Sequence, residues 1–199
     1  MIALAADDDR VWIGTQMGLC RFEGEEIHRE AVTEQFRELK VNALFMDDGA
    51  ESKDSVLLGY DDGVHRLRDG KLERVDEPGW PQVHVNHLTW GNQGELWIAS
   101  NAGLHRIDGD ETRSFSTPGV PLQVTVSPVD GEVALRLESG VALMSPEEEI
   151  STLSREKGLA SEFIHTMVYD SSGALWIGAN SGLQRYHDGE SKRSPLRMG

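Results

Sequence analysis

Leu175-Trp176-Ile177-Gly178-Ala179-Asn180-Ser181-Gly182-Leu183 is the stretch that decides the fold, because it recurs along the chain. Near copies start at Val11-Trp12-Ile13-Gly14 and Leu96-Trp97-Ile98-Ala99, and looser copies start at Val56 and Val133. Each copy contains a glycine followed by Leu or Val, and these glycines are at positions 18, 63, 103, 140 and 182. A period of about forty residues indicates tandem repeats of one supersecondary unit.

Each repeat has the pattern of four short strands. An apolar stretch such as Val85 to Trp90 comes first, and the Trp-Ile-Gly strand and a strand starting Gly-Leu follow. A short polar strand such as Lys71 to Val75 ends the repeat. Four antiparallel strands per forty residues are typical of a propeller blade, and two inner strands that are apolar on both faces fit a blade covered on both sides. We therefore predict an all-β fold, a β-propeller of five four-stranded antiparallel blades, either a closed five-bladed ring or part of a larger propeller.

The phase of the repeat predicts one propeller domain, residues 1–199, with blades at approximately 1–40, 41–83, 84–121, 122–163 and 164–199. Met1 aligns with the first residue of the later inner strands, and the last outer strand fades out at about 190–195. In this alignment of the repeats, no extra strand remains that could pair with another blade and close the ring. An incomplete propeller would expose two apolar blade faces, which predicts self-association.

Composition limits the partners. The net charge is −15, from 34 acidic and 19 basic residues, and such a surface repels nucleic-acid phosphates and anionic membranes. No apolar run is long enough for a membrane span, and the apolar start reaches Asp7 too early for a signal peptide. The single cysteine, Cys20, allows no intrachain disulfide. We therefore expect a cytoplasmic protein, or a periplasmic one if a leader was removed upstream of Met1, with no nucleic-acid partner and no membrane insertion.

The repeat resembles a known one. Its pattern is an apolar start, then Asp-x-x-Gly, then Leu-Trp-Ile-Gly-x-x-x-Gly-Leu-x-Arg-Tyr. This pattern is similar to the two-component regulator propeller repeat, most closely at Ala174 to Tyr186 with the lead-in 157–161. The match is good at 11–22 and 95–107 and loose in blades 2 and 4, which lack the tryptophan. The resemblance implies a ligand-sensing β-propeller of bacterial sensor kinases and related regulators. The sequence contains no kinase, receiver or DNA-binding segment, so it does not support signalling by phosphorylation.

Two sets of loops in a propeller share the face around the mouth of its channel, and variable loop residues there often bind ligands. Amide, imidazole, carboxylate and aromatic groups that converge on a concave surface suit a small polar ligand or a peptide. Ordinary polar loop residues are the alternative interpretation, and for Trp80 the alternative is packing against its own blade. The predicted ligand- or partner-binding residues are Gln16, Asn42, Tyr60, Asp61, Trp80, His84, Asn86, Asn101, Glu162, His165 and Asn180.

These features favour a non-enzymatic propeller that binds a protein partner or a small polar ligand, as a sensor or scaffold subunit in bacterial signalling or regulation. We predict no catalytic residue, metal ligand or cofactor. One alternative is a metal-dependent lyase or hydrolase at the channel mouth, with His84, His87, Glu162 and His165 as candidate ligands. Another is a carbohydrate-binding propeller with one site per blade, which is weakened because the loop residues differ between blades.

Overall fold

The computed structural model describes residues 3–6, 10–15, 18–29, 41–47, 55–187 and 189–193. Within these ranges the regular structure is β-strand alone, in five sheets of four antiparallel strands that pair in chain order. Each sheet is one blade, and the inner strands of successive blades pack side by side along a common axis. The predicted five-bladed β-propeller is confirmed.

The strands follow the repeat closely. Blade 1 contains β1 (Ala3–Ala6), β2 (Arg10–Thr15), β3 (Gly18–Glu23) and β4 (Glu26–Arg29). Blade 2 contains β5 (Ala43–Met46), β6 (Val56–Tyr60), β7 (Gly63–Arg68) and β8 (Lys71–Arg74). Blade 3 contains β9 (Val85–Trp90), β10 (Leu96–Ser100), β11 (Gly103–Asp108) and β12 (Glu111–Phe115). Blade 4 contains β13 (Pro121–Val126), β14 (Val133–Leu137), β15 (Val141–Met144) and β16 (Ile150–Leu153). Blade 5 contains β17 (Ile164–Tyr169), β18 (Leu175–Ala179), β19 (Gly182–His187) and β20 (Glu190–Arg193).

The shared glycine begins the third strand in blades 1, 2, 3 and 5 and directly precedes it in blade 4, and in all five blades its φ is positive. Gly103 has φ 113°, and a Cβ at this position would lie 2.6 Å from the carbonyl oxygen of Phe115 on the next strand. Only glycine, which lacks a Cβ, can take this positive φ and this close approach of the next strand without strain. The turn is closed by Ser100, whose Oγ donates to the carbonyl of Gly103 and accepts from the amide of Ala102.

The core lies between the blades. Successive residues of a strand point to opposite faces of its sheet, so each blade has a backward face toward the previous blade and a forward face toward the next. In blade 2, Leu44, Leu58 and Leu67 are on the backward face and pack with Trp12 and Leu19 of blade 1. Ala43, Leu57 and Val64 are on the forward face of blade 2. They form one buried cluster with Val85, Leu88 and Ile98 of blade 3. Further clusters join blade 3 to blade 4 and blade 4 to blade 5.

The glycine of the Trp-Ile-Gly strand marks the closest approach of two blades. A Cβ at Gly14 would lie 2.5 Å from Val41 Cγ1, and one at Gly59 would lie 2.6 Å from Val85 Cγ1. Both valines precede or begin the inner strand of the following blade. Small residues at this position therefore let neighbouring inner strands meet at the axis.

The repeated tryptophan and arginine form one structural pair. Trp12 lies directly opposite Arg21 across β2 and β3, and Trp97 lies opposite Arg106 across β10 and β11. The guanidinium carbons are 5.6 Å and 6.0 Å from the indole centroids, within cation–π range. Blade 2 has Leu57 in place of the repeated tryptophan. There Arg66 forms an ion pair with the buried Asp47, with 2.9 Å between Nε and Oδ2.

Candidate functional site

Three blades present the same pair of polar side chains at one end of the channel. One member is at the start of the inner strand, and the other is in the turn after the second strand, two residues before the shared glycine. Asn42 Nδ2 donates to Asp61 Oδ1 at 2.8 Å, and Asn86 Nδ2 donates to Asn101 Oδ1 at 3.1 Å. In blade 5, His165 Nε2 lies 2.5 Å from Asn180 Oδ1. These six residues are the channel-mouth pairs.

Two contacts connect the pairs across blade boundaries. His84, which precedes blade 3, places its Nδ1 2.8 Å from Asp61 Oδ1 in blade 2. Asn86 Nδ2 also donates to the carbonyl of Pro121 in blade 4 at 3.0 Å. The amide of Asn101 also donates to the carbonyl of His84 at 3.0 Å. The structure thus brings five of the predicted residues into one chain of polar contacts across blades 2 to 4: Asn42, Asp61, His84, Asn86 and Asn101.

The pair in blade 5 and Glu162 stand apart from that chain of contacts. Glu162 Oε1 lies 3.4 Å from Arg155 Nε, and both side chains are largely exposed. The backbone of this loop is nevertheless attached to the turns it adjoins, because Glu162 O accepts from the amide of Gly140 and Phe163 O accepts from the amide of Asn180. Gln16, predicted for the same face, lies outside the described residues.

Tyr60 and Trp80 lie in the core and not at the channel mouth. Tyr60 is the last residue of β6, one position before the turn residue Asp61, so its side chain points to the backward face of blade 2. It packs edge-on against His65 with 4.7 Å between ring centroids, and burial raises the pKa of its phenol. Trp80 is buried in the cluster between blades 2 and 3. In this arrangement the side chain of Tyr60 is 1% exposed and that of Trp80 is 8% exposed.

A second layer of polar groups lies one residue deeper along the inner strands. Gln123 Nε2 donates to the carbonyl of Met167 at 2.9 Å, and Gln123 Oε1 accepts from the amide of Met167 at 3.0 Å. His87 occupies the corresponding position of blade 3, and its ring lies beside the backbone of Val124 in blade 4. Burial, with a smaller contribution from the charge of Arg136, lowers the pKa of His87 to about 4. Gln123 was not predicted as a site residue. The signal in the sequence that could have identified it is a glutamine within an otherwise apolar strand.

The histidines do not assemble a metal centre. His84 and His165 contact different partners in different blades, and His87 points into the boundary between blades 3 and 4. Among the residues that the structure describes, no three His, Cys, Asp or Glu side chains are close enough together to hold a metal ion.

A surface cavity of about 370 Å³ lies away from the channel mouth, along the outer strands of blade 2. Three of its four basic side chains are paired with carboxylates: Arg66 with Asp47, Arg68 with Asp69 at 3.8 Å, and Arg74 with Asp76 at 3.1 Å. Because these charges are balanced locally and open to solvent, we assign the candidate site to the channel mouth.

Comparison with known proteins agrees with this architecture. The family model described as "Two component regulator propeller" matches residues 158–181. This stretch is similar to a two-component regulator propeller repeat. It includes the loop before β17, the strands β17 and β18, and both members of the blade 5 channel-mouth pair, His165 and Asn180. No curated protein sequence is significantly similar to this chain.

Solved structures resemble the whole five-bladed array. The extracellular domain of BT4673 from B. thetaiotaomicron, described as a hybrid two component system, matches with a TM-score of 0.76 and 17% identity over 96% of this chain and 30% of that one. Virginiamycin B lyase from Staphylococcus aureus matches with a TM-score of 0.72 and 14% identity over 98% of this chain and 70% of that one. YCF48 bound to D1 peptide matches with a TM-score of 0.67 and 18% identity over 98% and 68%.

At these identities the likeness shows a shared fold. The chain spans less than a third of the BT4673 extracellular domain. The neighbours described as hybrid two component systems are extracellular domains, so the comparisons do not support the expected cytoplasmic location. The part of the chain that the structure describes contains no helix that could span a bilayer.

Proposed function

We propose that this protein is a non-enzymatic recognition propeller that binds a neutral polar ligand, such as a saccharide or a short peptide, at the channel mouth. The observation that carries the proposal is the set of channel-mouth pairs, joined across blades 2 to 4 through His84 and Asn86. Their contacts hold amide, imidazole and carboxylate groups in fixed positions around one opening. Fixed polar groups around a concave opening are the usual means by which a protein orients a small polar ligand.

The free hydrogen-bonding capacity of the pairs indicates the chemistry of the ligand. Asn101 and Asn180 use their Oδ1 atoms within the pairs, and within the described residues their Nδ2 groups donate to no other protein atom. These donors suit hydroxyl, carbonyl or carboxylate oxygens. Because the protein carries a net charge of −15, a strongly anionic ligand would be repelled. A neutral ligand rich in oxygen acceptors fits both conditions.

The proposed role is that of a sensor or scaffold subunit. The family match at residues 158–181 and the likeness to the extracellular domains of BT4673 and BT3049 support it. The same likeness supports a location outside the cytoplasm. On this proposal the ligand is sampled at the channel mouth, and the outer surfaces of the blades remain available to a signalling partner.

An enzymatic role at the same face has less support. The likeness to virginiamycin B lyase concerns the fold, at 14% identity. The histidines that a lyase or hydrolase would use are held in separate contacts, His84 with Asp61 and His165 with Asn180.

The test is ligand-dependent thermal stabilisation, with neutral mono- and disaccharides and short uncharged peptides as probes. Binding raises the melting temperature in proportion to affinity and concentration. We expect Asn101→Leu and Asn180→Leu each to weaken binding of a positive probe about three- to tenfold, the effect of one lost hydrogen bond. Asn92→Leu is the matched control, because Asn92 is an exposed asparagine in the turn at the opposite end of blade 3.

Equal weakening in all three variants, or in none, would place the binding site away from the channel mouth. If no probe stabilises the protein, the small-ligand proposal is overturned and a protein partner becomes the alternative. Turnover of a probe that is lost in His165→Ala would establish the enzymatic role instead.

A further inference from the structure

Arg136 occupies a position that the other blades fill with glycine or alanine. In the register of the first two strands it lies opposite Gln123, as Ala99 and Gly178 lie opposite the equivalent residues of blades 3 and 5. In blades 1 and 2 this is the position where neighbouring inner strands approach most closely, so that an added Cβ would clash. The departure is visible in the sequence, because Arg136 replaces the glycine of the Trp-Ile-Gly pattern. A long charged side chain at this position needs a different explanation from packing.

The guanidinium of Arg136 lies level with the channel-mouth pairs. Its Nη2 is 3.5 Å from the carbonyl oxygen of Leu122, the residue that the pairing of β13 with β14 skips. The corresponding skipped residues of β9 and β17 are Asn86 and His165, which belong to the channel-mouth pairs. Leu122 is apolar and cannot form such a pair. Blade 4 therefore presents a cation at the level where blades 2, 3 and 5 present the pairs.

Among the described residues, Arg136 has no carboxylate partner. Arg66 and Arg106, which are also half-buried, each form an ion pair, Arg66 with Asp47 at 2.9 Å and Arg106 with Glu148 at 3.4 Å. The Nε of Arg136 is buried without a hydrogen-bond partner, and burial lowers the pKa of the side chain. An unpaired charge that is partly removed from water costs stability. Since the protein contains 34 acidic residues, an unpaired arginine at this opening indicates a group kept available for a ligand.

We propose that Arg136 is an anion-binding residue at the channel mouth and that it binds one carboxylate group. A guanidinium presents parallel N–H donors that match the two oxygens of a carboxylate. The unpaired Nε and the weakly bonded Nη2 of Arg136 are such donors. One guanidinium balances one negative charge, and the net charge of −15 repels ligands with several. These conditions favour a monocarboxylate over a phosphate or a polyanion.

The acidic surface does not prevent a carboxylate from binding at Arg136. The Debye length is about 10 Å at about 0.1 M salt, so distant acidic side chains are largely screened, whereas a charge in contact with the guanidinium is not. The carboxylate is either a free small acid or an acidic group of a larger ligand that the channel-mouth pairs also hold. This inference goes beyond the proposed function, because the pairs alone select neutral groups and Arg136 adds a selective site for one negative charge.

The test follows the Nε–H resonance of Arg136 by NMR, assigned by its loss in Arg136→Ala. Acetate is the probe and acetamide its neutral control; glucuronate and glucose form a second pair that differs by a carboxylate. We expect both carboxylates to shift the resonance saturably and neither neutral probe to do so, because Nε then gains an acceptor.

The relative affinities of the two carboxylates identify the source of the anion. Binding of glucuronate at least about tenfold more tightly than acetate would assign the carboxylate to a larger ligand, whereas similar affinities would assign it to a free acid. No shift with either carboxylate, or an equal shift with chloride, would overturn the proposal.

Variants separate a local effect from that of overall charge. Arg136→Ala introduces the residue that blade 3 has at this position, and it should weaken acetate binding at least about tenfold, measured from the backbone amide shifts of Gln123. Arg155→Ala is the matched control, because it removes the same charge from an exposed arginine that is paired with Glu162. It should change the affinity by less than about twofold. Equal weakening in the two variants would contradict a site at Arg136.

A further variant separates this site from the proposed function. Asn180→Leu should leave acetate binding unchanged while it weakens a neutral ligand held by the pairs. Failure of every neutral probe, with acetate still bound at Arg136, would overturn the proposed function and leave the anion site intact.

Stability measurements distinguish an anion site from a structural arginine. In carboxylate-free buffer, Arg136→Ala should leave the melting temperature unchanged or raise it by about 1–3 °C, because it removes an unpaired, half-buried charge. Arg66→Ala should lower it by about 5 °C or more, because it leaves Asp47 buried without its ion-pair partner. Equal losses in the two variants would show that protein contacts hold Arg136 in place and would overturn the proposal.

Discussion

Single residues of this propeller have two kinds of role, and the repeat separates them. Trp97 and Arg106 recur in register with the repeat and are paired across two strands in the core. His87 does not recur: the corresponding residues in blades 4 and 5 are Gln123 and Thr166. It therefore introduces a titratable group into a position that other blades fill with neutral side chains.

The first prediction concerns the pH dependence that His87 imposes. Its folded-state pKa is lowered to about 4 from 6.5, so the unfolded chain binds more protons between these values. The contribution of His87 to stability is present above pH 6.5 and is lost as the pH falls toward 4. Between pH 7 and pH 5 we expect a loss of about 2 kcal/mol from this group.

The measurement is urea unfolding of the wild-type protein and of His87→Gln at both pH values. Glutamine at this position reproduces the side chain of blade 4 and cannot titrate. The variant should lose about 2 kcal/mol less than the wild type on acidification. Identical losses in the two proteins would show that His87 titrates normally in the folded state.

Among elements, the inner strands have the strictest requirements, because each packs directly against the next. The second prediction tests this contact at Gly59. Gly59→Ala places a Cβ 2.6 Å from Val85 Cγ1 and 3.0 Å from Ala43 Cβ, and overpacking of this kind costs about 1–3 kcal/mol. Val85→Ala should recover part of the loss in the double variant. Chemical denaturation measures all three.

Gly178→Ala is the matched control for that prediction. It occupies the same position in blade 5, and its added Cβ has only Thr166 Cγ2 within 3.4 Å among the described residues. We expect a smaller loss of stability than at Gly59. Equal losses would contradict the assignment of Gly59 to a blade-to-blade contact.

At the level of elements, the sequence predicts more of the fold than of the site. The repeat locates these strands within about one residue: β9 has the predicted bounds Val85–Trp90, and β8 ends at Arg74, one residue before the predicted Val75. The hydrogen bond between Asn86 and Asn101 could not be predicted from the sequence, because it depends on the register between β9 and β10. A bulge shifts that register between Ala99 and Ser100. Tyr60 and Asp61 are adjacent polar residues whose different positions, core and mouth, depend on where the strand ends.

Among the described residues, each blade shares a buried cluster with its neighbours along the chain, as in a linear array. In these clusters blades 2, 3 and 4 contribute side chains from both faces, and blades 1 and 5 from one face. In nearest-neighbour arrays the stability of each unit depends on the interfaces it makes. The terminal blades should therefore open more often than the central blade.

The third prediction is a gradient of amide hydrogen exchange. Amides of β10 in blade 3 should exchange at least about tenfold more slowly than those at equivalent positions of β2 and β18, because opening blade 3 breaks two interfaces instead of one. Mass spectrometry of peptic fragments resolves the three strands. Uniform protection would indicate that blades 1 and 5 are held together in solution.

The Trp-Ile-Gly strand also makes the protein its own spectroscopic probe. Trp12 and Trp97 are enclosed between blades, whereas Trp176 is partly open to water and its indole N–H donates to Asp170. Their fluorescence should differ in wavelength and in accessibility to quenchers, with one indole each in the first, third and fifth blades. Emission from variants that retain a single tryptophan would then report the melting of each of these blades separately.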